Sequence, residues 1–191
     1  RRLLRDLTAE ESAIVTAAVA RSRLKGAHNL DNALLATQIA LAAGATMDGI
    51  IQGIKAFKPL PHRLEEHRIG GMLFVDDSIA TTPEATKAAL ASYPGQRLAL
   101  IAGGHEREQD YAELACLPDT GARLAAAARS AAPAITVLTP PDLEAAMQAL
   151  HAHRDQFDVV ILSPAAPSYN QFKNFEERGA RFVDLAHSIF G

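Results

Sequence analysis

Four short apolar runs in the second half of the chain, interleaved with helical patterns, limit its fold more than any other feature. They sit in "GGMLFVDD", "RLALIAGG", "AITVL" and "DVVILSP". Runs of this length, bounded by glycine, proline and polar residues, read as strands buried on both faces. Thr82 caps a helix from Pro83 to about Ser92, with the proline at its first position. Further helical stretches run from Thr120 to Ser130, through "PDLEAAMQALHAH" after Pro140 and Pro141, and through "NFEERGARFVDLAHSIF". The last is amphipathic, with Phe175, Phe182, Leu185, Ala186 and Ile189 facing inward. Strands alternating with helices of this length predict an α/β fold, a Rossmann-like, mostly parallel sheet flanked by helices. Its first strand pair, "LEEHRIGGMLFVDD", reads as a hairpin turning at Gly70 and Gly71.

Residues 8 to about 57 follow a helical pattern instead. Thr8 and Glu11 have capping-box spacing ahead of "SAIVTAAVA". "NLDNALLATQIALAAG" carries Leu30, Leu34, Leu35, Ile39 and Leu41 near helical spacing and stops at Gly44. "TMDGIIQGIKAF" places Met47, Ile50, Ile51, Ile54 and Phe57 on one face. "KPLPHR", with two prolines in three residues, breaks any helix and reads as a linker. The chain is therefore expected to divide into 1–58, helical, and 59–191, α/β.

The 191 residues are 48% hydrophobic and 21% charged, the balance of a soluble globular chain. A net charge of −3 gives no electrostatic case for a nucleic-acid partner. The single cysteine, Cys116, excludes an internal disulfide and suits a reducing cytosol. No apolar run approaches the roughly 18 to 20 residues of a membrane span. The start, "RRLLRDLTAEES", lacks the apolar core of a signal peptide, so a cytoplasmic protein without membrane contact is expected. The chain does not begin with methionine, which suggests a fragment or a processed product.

In an open parallel sheet, ligands bind outside the carboxyl ends of the strands. Unusual polar residues collect at those ends here: "DDSIATT", "GGHERE" and "SPAAPSYNQF". Asp76 and Asp77 read either as turn formers or as carboxylates for a ribose hydroxyl or a metal-bound water. Thr82 is accounted for as a cap, whereas Ser78 and Thr81 have no evident structural duty. The helix start at Pro83 favours an anionic ligand. His105 and Arg107 beside two glycines read equally as a turn with solvated charges or as ligand contacts. Ser163, Ser168 and Tyr169 offer hydroxyls in a proline-fixed loop. His62 and Arg63 read as a hinge with an arginine able to face a phosphate. No zinc spacing, nucleophile elbow or Walker phosphate loop is present.

These segments together resemble a family. "KGAHNLDNALLA" is similar to the G-x-H-N-x-x-N-x-x-A signature late in the central domain of the Mur ligases, and "LPHRLE" resembles their interdomain linker. "DDSIATTPEAT" resembles the N-D-S-K-A-T-N segment of the branch that adds glutamate to UDP-N-acetylmuramoyl-L-alanine, the MurD type. "LIAGG" and "LSPAAPSYNQFKNFEERGARF" resemble later segments of that branch, the last on a long motif, S-P-A-x-x-S-x-x-x-F-x-x-F/Y-x-x-R-G. The resemblance spans residues 24 to 190.

It implies the carboxyl-terminal part of an ATP- and Mg2+-dependent amide ligase of peptidoglycan synthesis. Residues 1–58 would be the tail of the central ATP-binding domain, and 59–191 the carboxyl-terminal domain. The upstream nucleotide-sugar domain, phosphate loop and modified lysine would be missing, with magnesium held mainly there, so the chain alone should ligate nothing. Carried over by position, His28, Asn29 and Asn32 approach the adenine side of ATP. Arg63 contacts its phosphates, with His62 beside it, and Asp77 holds its ribose. Ile79, Thr81, Arg107, Ser168, Tyr169 and Phe175 fall around the glutamate. No catalytic residue and no metal ligand falls in this segment.

Three positions depart from the branch's pattern: Ile79 and Arg107 stand where lysines are usual, and Tyr169 where an aliphatic residue is common. All three surround the amino-acid pocket, so L-glutamate is kept beside D-glutamate as the substrate. A folyl-polyglutamate synthase is disfavoured, since no D-x-A-H-N-P segment is found. A non-catalytic, Rossmann-like regulatory module is the alternative of another class.

Overall fold

The computed structural model describes residues 5–104, 125, 126, 128–130, 136–169 and 171–191. They fall into two compact units that meet in sequence between Leu60 and Pro61.

The first unit holds α1 (Ala9–Ala20), α2 (Ala27–Ala42) and α3 (Met47–Ala56). Thr8 and Glu11 form the expected capping box, and Thr46 caps α3 by accepting from Gly49 N–H. Gly44, at φ 97°, ends α2 in the left-handed conformation that glycine adopts at least cost. Val15, Val19 and Ala33 are buried, with Leu24, Leu30, Leu34, Met47 and Ile54 packed around them. Leu35 and Ile39, one turn apart on α2, are each 52% exposed. Within this unit α1 and α3 pack against one side of α2, and Leu35 and Ile39 mark its uncovered side.

The second unit runs β1 (Glu65–Ile69), β2 (Met72–Asp76), α4 (Pro83–Ala91), β3 (Leu98–Ile101), α5 (Leu143–Ala152), β4 (Val159–Leu162) and α6 (Phe175–Phe190). Among the described residues, four strands lie in the order β1-β2-β4-β3. β1 and β2 are antiparallel, while β4 pairs in parallel with both β2 and β3. The hairpin turns where expected, between Ile69 and Met72, with Gly70 and Gly71 at φ 55° and 81°. Two positive φ angles make the tight turn whose twist matches the strands. A side chain at Gly70 would strike the carbonyl of Phe190, so this turn also seats the end of α6.

Adjacent strand residues point to opposite faces. Phe74, Val160, Leu162 and Ile101 join Met147, Leu143, Phe182 and Leu185 of α5 and α6 on one face. Val75, Val159 and Ile161 meet Ala89 and Tyr93 of α4 and its exit on the other. β4 is buried throughout, which is why "VVIL" shows no polar alternation. Thr82 caps α4 and Pro83 opens it, as read from the sequence.

One expectation fails in part. Residues 136–138 of "AITVL" are in no strand, and the start of that run lies outside the described residues. Val137 packs instead beside Ala125 and Ala165. Of the stretch expected to be helical from 120 to 130, residues 125, 126 and 128–130 are helical, and the rest lie outside the described residues.

Candidate functional site

The parallel strands β2, β3 and β4 end on one edge, and their pairing continues past the strand ends. Asp77 N–H donates to Leu162 O (2.9 Å), Ser163 N–H to Ile101 O (3.2 Å) and Gly103 N–H to Pro164 O (2.6 Å). This places the polar segments after β2 and β4 side by side, as the strand-end rule requires.

Asp77 is the centre of one network. Its Oδ2 accepts from Ser163 Oγ (2.7 Å) and its Oδ1 from Leu64 N–H (3.2 Å). Ser163 Oγ is also 3.0 Å from Thr86 Oγ1, whose hydroxyl reaches the Ser163 carbonyl (3.1 Å). Burial pushes the Asp77 carboxyl up to about 6, against the opposing pull of Ser163, Leu64 N–H and the Arg63 charge. Ser163 was expected to be free for ligand; it is fully buried and committed to Asp77.

Asp76 anchors a second network. The sequence suggested a turn residue, but Asp76 is the last residue of β2 and 1% exposed. Its Oδ2 bonds His62 Nδ1 (2.7 Å), and its Oδ1 accepts from Ser78 N–H (3.0 Å). Gly179 of α6 lies against this pair: a β-carbon there would sit 2.5 Å from Asp76 Oδ2 and strike His62 Nδ1. The His62 ring meets Phe175 edge-on, with centroids 6.1 Å apart.

Ser78 has the structural duty that the sequence did not reveal. Its hydroxyl donates to Phe175 O (2.8 Å) and accepts from Arg178 Nε (3.0 Å). The Arg178 guanidinium also donates to Ser78 O (2.8 Å) and Ala166 O (3.1 Å). Thus one buried fork ties the end of β2 to the end of β4. Burial pushes Arg178 down to about 10, and the nearby Asp76 charge opposes that shift, so it stays protonated at neutral pH. The signal was present: Arg178 falls on the inward stripe of α6, between Phe175 and Phe182, where a charge must find partners.

Around these networks lie the other expected residues. Arg63 is exposed, while His62, Ile79 and Thr81 are half-buried. Ile79 N–H donates to His62 O (3.2 Å). Ser168 is buried, Tyr169 is 55% exposed, and Phe175 opens α6. His105 and Arg107 lie outside the described residues. In the first unit, His28, Asn29 and Asn32 stand in the first turns of α2, whose cap Gly26 makes no side-chain bond. Asn29 Nδ2 donates to Lys25 O (2.7 Å).

His62, Glu65 and Asp76 bring their ligand atoms within 4.8 Å of one another. His62 Nδ1 and Asp76 Oδ2 are bonded to each other, and Glu65 Oε2 accepts from His62 N–H (2.9 Å). Magnesium demands open, octahedrally placed oxygens. This cluster does not fit it, and no step is assigned to a metal held here.

No family model matches the chain. It is 36% identical over 173 residues to a UDP-N-acetylmuramoylalanine–D-glutamate ligase of Rubrobacter xylanophilus, covering 84% of this chain and 39% of that protein. Over most of its length the chain is similar to Mur ligases. A UDP-N-acetylmuramoyl-L-alanine–L-glutamate ligase of a Micromonospora strain is 34% identical over 184 residues, covering 88% of this chain and 40% of that one. The chain thus spans about two fifths of the length of these Mur ligases. Among solved structures, a MurF ligase of Thermotoga maritima in complex with ADP shares the fold at a TM-score of 0.58 and 16% identity, over 86% of this chain and 39% of that one.

Proposed function

We propose that this chain is the carboxyl-terminal part of an ATP-dependent ligase that joins glutamate to UDP-N-acetylmuramoyl-L-alanine in peptidoglycan synthesis, in the cytoplasm. The observation that carries the proposal is the strand-end edge: a buried carboxylate, Asp77, beside an exposed cation, Arg63, in a chain this similar to glutamate ligases. Among the described residues no helix is long and apolar enough to cross a membrane.

In this ligase the γ-phosphoryl of ATP passes to the nucleotide-sugar carboxylate, releasing ADP. The glutamate amine attacks the acyl phosphate, and phosphate leaves as the amide forms. Such chemistry is driven by positioning and by neutralising phosphate charge. Arg63 contacts the phosphates. Asp77 accepts from the ribose hydroxyls with the lone pairs that Leu64 and Ser163 leave unused. His28, Asn29 and Asn32 face the adenine side. Ile79, Thr81, Ser168, Tyr169 and Phe175, with Arg107, surround the glutamate. The catalytic groups and the magnesium ligands belong to the upstream nucleotide-sugar and central domains of the same enzyme, of which residues 1–58 are the last part.

In the full-length enzyme, Arg63→Ala raises KM for ATP at least about tenfold, as loss of a phosphate-directed guanidinium should. Unchanged ATP kinetics in both Arg63→Ala and Asp77→Asn would favour a non-catalytic module. L-Glutamate is the second substrate reading, supported by Ile79 in place of lysine and by the L-glutamate-adding relative. Turnover with the two isomers decides it: exclusive use of D-glutamate removes L-glutamate from consideration.

A further inference from the structure

Arg63 stands between two residues with left-handed backbones, His62 at φ 60° and Leu64 at φ 48°. Such a backbone is costly for a non-glycine residue and persists only where its surroundings overdetermine it. Among the described residues the one other case is Ala165, in the loop after β4 on the same edge. The surroundings of Arg63 are the two adjacent aspartates. Asp76 holds the His62 ring, and Asp77 holds the Leu64 N–H. Glu65 takes the His62 N–H, and Ile79 N–H closes on the His62 carbonyl. The linker is therefore fixed on both sides of Arg63 while the Arg63 side chain stays exposed.

We propose that Asp76 and His62 form a clasp, seated on Gly179, that aims Arg63 at the polyphosphate of the nucleotide. The proposal rests on the assignment of Arg63 to the ATP phosphates. An arginine on an untethered linker would lose backbone as well as side-chain freedom on engaging a phosphate. A pre-bent linker has lost the backbone share beforehand. His62 and Asp76 are positioning residues, acting through Arg63. Gly179 is required because any side chain there would occupy the space where the imidazole and carboxylate meet.

The test uses the full-length ligase and measures KM and kcat for ATP and glutamate separately. His62→Ala and Gly179→Ala each raise KM for ATP about fivefold or more, with KM for glutamate unchanged. Asp76→Asn keeps ATP binding within about twofold of the native enzyme, because its amide can donate to His62 Nδ1 while its oxygen accepts from Ser78 N–H. In an Arg63→Ala background the effect of His62→Ala shrinks below about twofold, as expected if one residue works through the other. Fold changes that simply multiply in the double variant overturn the clasp, as does an equal rise in KM for glutamate. If Arg63→Ala itself leaves ATP kinetics unchanged, the phosphate assignment fails instead. Thermal melting of each variant identifies a loss of fold. Should His62→Ala not fold, Gly179→Ala, which leaves the linker sequence intact, carries the comparison.

Discussion

At Asp77 a carboxylate is held 5% exposed between the Leu64 N–H and the Ser163 hydroxyl, with its pKa raised to about 6 by burial. An acid whose folded pKa exceeds its unfolded value binds its proton more tightly when folded. It therefore opposes folding as pH rises from about 4 through 6, and the cost is complete above that window, at most about 3 kcal/mol. Asp77→Asn keeps an acceptor for Leu64 and can donate to Ser163, but carries no charge. Relative to the native protein, Asp77→Asn should gain stability between pH 4 and pH 8 while its KM for ATP rises. Melting temperatures across that range check this, and a difference independent of pH would show that Asp77 carries no such cost. A buried acid that costs stability is the pattern of a group retained for function.

The strand-end segments and α6 are coupled through Arg178. Its three nitrogens satisfy the Ser78 hydroxyl and the carbonyls of Ser78 and Ala166, two acceptors of the backbone that no sheet ladder can reach. An ammonium cannot span three acceptors in this fixed, planar arrangement. Arg178→Lys leaves at least one of them buried without a donor, and should lower unfolding stability by about 2 kcal/mol or more. Chemical denaturation measures it; a change under about 0.5 kcal/mol would mean that the loops after β2 and β4 hold themselves. The same element explains Gly179, which a helix alone would replace with alanine for a gain of about 1 kcal/mol.

At the scale of the molecule, the chain covers about two fifths of its relatives, and α2 leaves Leu35 and Ile39 exposed. Both fit a segment whose remaining partners lie elsewhere in a longer protein. The 191-residue chain alone, given ATP, glutamate and the nucleotide sugar, should release no ADP. Detectable ADP would mean that the described units already hold a complete catalytic site.

The sequence by itself determined most of the elements: the Gly70-Gly71 hairpin, the capping residues Thr8 and Thr82, and β2, β3 and β4 as unbroken apolar runs. These rest on interactions within a few residues, so their causes are local. It also grouped the polar segments after β2 and β4 at one sheet edge, where the structure brings them side by side. Only the tertiary structure decided what each polar residue there does. Asp76 looked like a turn residue and Ser78 showed no structural duty, yet Asp76 holds His62, 14 positions away, and Ser78 meets Arg178, 100 positions away. Ser163 looked free and is bound to Asp77, 86 positions away. A side chain's duty at this edge depends on which strands lie side by side. That is set by burial of the apolar faces over the whole sheet, and no local spacing records it.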